Sequence, residues 1–178
     1  MSAARAYAAG PDPRSRIAAK VALVIAFNQP FYPLYLHAIA GTAAWPAWLT
    51  LITTPFFAAV PAVARRHSLA GRALLIMAGI ANTVLSVKLL GVRSGVELFL
   101  LPCTLLAALL FGPSERLISL PLIGLPFLFY LVLDSGLGDA IMQVGDSAYP
   151  SLLAINATSV GGLTALIGLL ATSTTAET

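Results

Sequence analysis

Six side chains are placed to hold a small molecule: Asn28, Tyr32, Tyr35, Asn82, Glu97 and Asn156. Each interrupts a run of apolar residues. Amides, phenols and a carboxylate in such surroundings offer donors and acceptors that lipid cannot satisfy. Their chemistry suits binding rather than turnover. The sequence contains no H-E-x-x-H, no G-x-S-x-G, no P-loop and no dinucleotide fingerprint, and no nucleophile–base pair is recognisable. An enzyme is therefore not expected, and no catalytic residue is assigned. By the expected topology His37 and His67 fall on opposite sides of the membrane, which disfavours a two-histidine metal or haem clamp. Asp134, Asp139 and Asp146 lack the tight spacing of a calcium loop and read as a solvated connection. No metal and no cofactor are expected. The lone Cys103 cannot form an intramolecular disulfide and reads as a packing residue.

The elements that position these groups follow from composition. Of 178 residues, 58% are hydrophobic and only 10% are charged. A water-soluble domain carries about 25% charged residues, so part of this surface must face lipid. Six apolar runs are legible, at about residues 17–40, 46–64, 69–90, 96–111, 117–133 and 149–171. The fourth and fifth are at the short end of a bilayer crossing. The runs are continuous rather than alternating, which argues against barrel strands. Polar breakers separate them at Gly41 to Trp45, Arg65 to Ser68, Gly91 to Gly95, Gly112 to Arg116 and Asp134 to Ser147. Short links of this kind join antiparallel neighbours.

The expected fold is all-α, a bundle of six transmembrane helices over residues 16–172. Residues 1–15 read as a disordered cytoplasmic leader and 173–178 as a short tail. With the N-terminus cytoplasmic, Arg5, Arg14, Arg16, Lys20, Arg65, Arg66, Arg72 and Arg116 fall inside, and only Lys88 and Arg93 outside. Both termini are then cytoplasmic, as expected of a multi-pass protein of the inner membrane. Trp45 and Trp48 stand where an outer aromatic anchor belongs. The basic residues are scattered rather than striped, so the net charge of +3 reports topology and not nucleic-acid binding. A cleaved signal ending near Ala38-Ile39-Ala40 is the alternative for the first run, and it would leave five helices.

Pro30 and Pro33 should kink the first helix and free carbonyls that need partners inside the protein. That segment is either a pocket wall or a kink satisfied by its neighbours. Asn82 and Asn156 are either pocket groups or interhelical glue. Glu97 is either a carboxylate at a pocket mouth or half of an interfacial pair with Lys88 or Arg93. Gly161, Gly162, Ala165 and Gly168 read as packing within the bundle ahead of a dimer seam.

Three stretches carry a family resemblance: Ala81-Asn82-Thr83-Val84-Leu85-Ser86, Gly95-Val96-Glu97-Leu98-Phe99-Leu100-Leu101-Pro102, and Leu110-Phe111 with Glu115-Arg116. Together they resemble the six-helix membrane input modules of bacterial class III adenylate cyclases and sensor histidine kinases, over about residues 20–172. The resemblance implies a non-catalytic sensory module, either free-standing or part of a larger protein. In that reading a small or lipid-soluble ligand enters an outward-opening polar cavity, and the change passes to a cytoplasmic signalling partner or within a homodimer. A small transporter or channel and a structural subunit of a membrane complex are the alternatives. The partner common to all three is the lipid bilayer.

Overall fold

Asp12 starts the first helix. Its carboxylate accepts the Ser15 N–H at 2.9 Å, and Pro13 occupies the first helical position, where a missing N–H costs nothing. In the computed structural model, which describes residues 6–142 and 144–175, α1 spans Pro13–Asn28. Residues 1–5 of the leader and 176–178 of the tail lie outside the described residues, as does the Asp134 side chain. The helix thus begins inside the segment read as a leader. Tyr7 is seated as well: its hydroxyl donates to the Ala58 carbonyl at 3.0 Å, and Arg65 stacks over its ring.

α2 spans Phe31–Ala40, so the interruption of the first run falls at Gln29-Pro30. Pro33 lies buried in the first turn of α2, where backbone N–H groups lack intrahelical partners anyway. The chain reverses at Gly41, whose φ of 60° and ψ of −143° suit glycine. A 3-10 stretch, Gly41–Thr53, and α3, Thr54–Arg66, then run back. The 3-10 stretch packs on α2 and α3 packs on α1. The arms of this hairpin match in length, about 42 Å against about 45 Å, because 3-10 winding rises further per residue. The break expected over Gly41 to Trp45 is thus one residue wide, and the residues after it are already wound.

The remaining helices are α4 (Ser68–Leu90), α5 (Leu100–Leu110, entered through a 3-10 turn at Val96–Phe99), α6 (Arg116–Gly136) and α7 (Tyr149–Thr175). No strand occurs among the described residues. Four segments are long and apolar enough to cross a membrane: 13–66, 68–90, 113–133 and 146–173. The sequence suggested six. Two of its runs are joined helically into the 54-residue hairpin, and the run at Val96–Leu110 is shorter than a crossing.

α4 is the central post. Ala18, Val21 and Ala22 of α1, Phe57 and Val60 of α3, and Leu106 and Leu110 of α5 pack around its Leu75 and Ile76. The first helix is therefore built into the core. α6 lies outermost, with Leu117 92% exposed and Leu120, Phe127 and Leu131 also uncovered. An apolar face of this extent needs a non-aqueous cover. Trp45 and Trp48 are likewise exposed, on the hairpin.

α3 and α4 meet very closely. A Cβ added at Gly71 would sit 2.5 Å from Cα of Ala64, a backbone atom that cannot step aside. We expect Gly71→Ala to cost about 1–3 kcal/mol by overpacking, read as a lower melting midpoint in detergent. An unchanged midpoint would refute this close approach. By contrast, Gly161, Gly162 and Gly168 have open space where a Cβ would stand. The close packing expected of these glycines within the chain is not seen among the described residues.

Each end of the bundle is tied by its own polar contacts. At one end, Asp12 Oδ2 accepts from the hydroxyls of Ser15 and Ser68, joining α1 to α4. Burial raises the Asp12 carboxyl, but these hydroxyls, the Ser15 N–H and the Arg72 charge together hold it below its ordinary value. Arg72 is 4% exposed and grips Glu115 with both terminal nitrogens, at 2.9 and 2.7 Å. It also donates to the Leu110 and Ser68 carbonyls and stacks on Phe111. At the other end, Lys88 Nζ donates to the carbonyls of Leu137 and Asp139, at 2.7 and 2.8 Å. Arg93 pairs with Asp146 at 2.7 Å. The Lys88–Glu97 and Arg93–Glu97 pairs considered from sequence do not form, because both bases are taken by the α6–α7 connection.

Candidate functional site: an uncharged cavity between the first and last helices

The break at Gln29-Pro30 turns one polar side chain inward. Gln29 is 7% exposed, and its Nε2 donates to Thr53 Oγ1 at 2.9 Å and to Asn82 Oδ1 at 3.2 Å. Thr53 Oγ1 lies 2.8 Å from the same Asn82 oxygen and 2.9 Å from the Thr50 carbonyl, either of which can accept its single proton. An amide, a hydroxyl and a second amide thus join three segments: the break, the 3-10 stretch and α4. A buried network in which each member has a partner holds one geometry and resists local rearrangement.

Beside this network lies a cavity of about 570 Å³. Its polar wall is Asn28, Gln29, Tyr32, Tyr35, Thr50, Asn82, Thr83, Ser86 and Ser159. Its apolar wall includes Val24, Ile25, Phe31, Val96, Phe99, Ile155, Leu163 and Leu166. A concave site of this size, mostly apolar with a few placed polar groups, is the usual form of a small-molecule pocket. None of its lining residues is charged. Thr83 returns its hydroxyl proton to the Gly79 carbonyl at 2.9 Å, so it presents a lone pair to the cavity side without an orphan donor.

Four of the six residues singled out from sequence line this cavity: Asn28, Tyr32, Tyr35 and Asn82. Asn28 is exposed, and its Nδ2 donates to the Val24 carbonyl at 2.8 Å. The other two lie outside the lining. Asn156 is 1% exposed and its Nδ2 donates to the Ser94 carbonyl at 2.8 Å, tying α7 to the α4–α5 connection. The Tyr32 hydroxyl lies beside the Asn156 side chain, yet that hydroxyl and Asn156 Oδ1 are both buried without a hydrogen-bond partner among the described residues. Glu97 keeps one carboxylate oxygen buried and unpartnered in the turn before α5. Gln29 and Thr53, central to the network, were not singled out from sequence. The available signal was a glutamine directly before a proline inside an apolar run.

A second cavity, of about 650 Å³, opens at the Arg72 end. It is lined by Asp12, Arg14, Ser68, Arg72 and Glu115, and by Ala171 and Thr172 of α7. The last helix therefore touches both cavities. Among the described residues, no group of three His, Cys, Asp or Glu side chains is placed to hold a metal.

No curated protein and no solved structure matches the chain. The sequence does match MASE7 over residues 4–170, which takes in every helix named above except the last turn of α7. MASE domains are membrane-associated sensory domains of cyclases and kinases, in keeping with the six-helix input modules that the Asn82, Glu97 and Phe111 stretches resemble. The match spans most of the chain, and the chain belongs to the MASE7 family.

Proposed function

We propose that this membrane sensory domain binds a small molecule in the Gln29–Asn82 cavity and passes its occupancy to a cytoplasmic partner through α7. The observation that carries the reading is the reach of α7. Ser159 to Leu166 line the cavity, and Ala171 and Thr172 line the pocket around Arg72, one to two turns further on. A ligand shifts such a helix only by binding one of its positions better than another. Residues at both ends of that lever would feel the shift.

The same reading places six crossings in the inner membrane, with both termini cytoplasmic. The Gly41 reversal supplies two crossings from one segment. The Val96–Leu110 helix, extended by its flanking turns, supplies another. Arg14 and Arg72 line one pocket with Asp12 and Thr172 and Arg65 holds Tyr7 nearby in the chain, while Lys88 and Arg93 hold the other end, which supports a positive-inside orientation. Neither Glu97 nor Asn156 needs to touch the ligand. Asn156 fixes α7 against the Ser94 carbonyl.

The test is a fusion in which a cyclase or kinase domain follows Thr175. In native membranes, its output should change severalfold on adding organic extract of the host membranes. Output that no fraction of that extract moves would count against the sensor reading and favour a structural subunit.

A further inference from the structure

We propose that the ligand is an uncharged amphipath that enters sideways from the lipid, through a gap between α1–α2 and α7. This rests on the cavity being the ligand site. The cavity's uncovered lining residues are Val24, Asn28, Phe31, Ser159 and Gly162. They come from the middle of the first helical arm and the middle of α7, not from either end. Ser159 lies about 15 Å along α7 from Tyr149 and about 24 Å from Thr175. An opening at that depth faces acyl chains rather than water.

The rim has the same character. Phe31 is 54% exposed and pairs with Phe27, itself 73% exposed. On α7, Gly162 has nothing within 4 Å of the place a Cβ would take, so the edge carries no side chain at that position. Charged contacts mark the two ends instead: Lys88, Arg93 and Asp146 at one, and the Arg72–Glu115 pair, beside its own separate cavity, at the other.

Inside, the wall carries hydroxyls and amides but no ionisable acid or base other than the two phenols. A carboxylate, phosphate or ammonium would enter without a counter-charge, which is costly at this depth. A neutral head bearing a hydroxyl, carbonyl or ether oxygen can exchange hydrogen bonds with the Asn82, Ser86 and Tyr35 groups. Its apolar remainder would lie along Phe31, Leu163 and Leu166 and out toward the bilayer.

Two photoreactive probes of similar length test this in bilayer nanodiscs, where both aqueous faces are open. One is a diazirine-bearing alkyl alcohol and the other a diazirine-bearing alkyl sulfonate. The alcohol should label the Asn82–Ser86 stretch at least tenfold more than the sulfonate. A Ser159→Trp, Gly162→Trp double variant should cut that labelling at least tenfold while the lipid-facing α6 stays labelled. Labelling of α6 and a monodisperse elution profile show that the variant is folded and in the bilayer. Equal labelling of Asn82–Ser86 by the sulfonate would overturn lateral entry of a neutral ligand and leave the cavity as a site open to water. Unchanged labelling in the plugged variant would also overturn the lateral route. No labelling of Asn82–Ser86 by either probe would overturn this inference and the cavity reading together.

Discussion

Glu115→Gln should lower stability by about 3–5 kcal/mol, because it leaves the buried Arg72 guanidinium without its counter-charge, and Arg72→Leu should lower it by less, because the Glu115 carboxylate it leaves is partly exposed. For a chain of this length the larger loss is a fall of about 10 °C in melting midpoint. The reason lies in how many groups depend on one guanidinium. Arg72 saturates both Glu115 oxygens, the Leu110 carbonyl at the end of α5 and the Ser68 carbonyl in the first turn of α4. Glu115 Oε2 also accepts the Gly112 N–H at 2.7 Å, holding the turn into α6. Removing Arg72 leaves a carboxylate and a helix-end carbonyl without their donor. Removing both charges together, as in Arg72→Met with Glu115→Gln, should recover part of the loss, since no orphan charge remains. Thermal unfolding in detergent distinguishes these cases. If the double variant is as unstable as the sum of the singles, the pair is not acting as a unit.

The second large effect is expected at Asn82. Asn82→Leu removes the oxygen that accepts from Gln29 and faces Thr53, and it replaces a polar stretch of cavity wall with a branched alkyl group. In the cyclase or kinase fusion, the response to membrane extract should fall at least tenfold, while the chain still folds. The stability cost should be about 1–3 kcal/mol, the range for leaving buried donors unpaired. Thr83→Val, on the same wall but bonded to its own helix, should keep most of the response. Equal responses in the parent and both variants would show that the network is structural only.

Much of the fold was readable in the sequence, and the reasons are physical. Apolar runs of bilayer length specify helices directly, so α4 and α7 begin within a residue of where hydropathy placed them. Gly41 was legible as a breaker, but its neighbours were not. Residues 42–45 carry no strong turn chemistry, and they continue as 3-10 winding that no local signal marks. The number of crossings depended on that stretch and on a short fourth run, so hydropathy alone could not fix it.

The candidate site was legible only in part. Asn28, Tyr32, Tyr35 and Asn82 stood out because polar groups in apolar runs need partners, and all four line one cavity. Gln29 and Thr53 needed the hairpin geometry, since they lie 24 residues apart and meet only because the chain reverses. Arg72 read as a topological charge near a membrane face. Its grip on Glu115 depended on α4 and α6 starting at the same end of the bundle, which the sequence implied but did not pair. Glu97 and Asn156 are chain neighbours of the lining residues Val96 and Ile155 but do not line the cavity themselves, a distinction that periodicity does not resolve.

The central claim is that the cavity beside Gln29 and Asn82 holds a neutral small molecule. Native mass spectrometry of the protein extracted from its host membrane tests it most directly. The account predicts one bound neutral molecule per chain in the parent, and none in a Ser86→Trp variant whose indole fills the cavity. Identical bound species in the parent and the filled variant would contradict it.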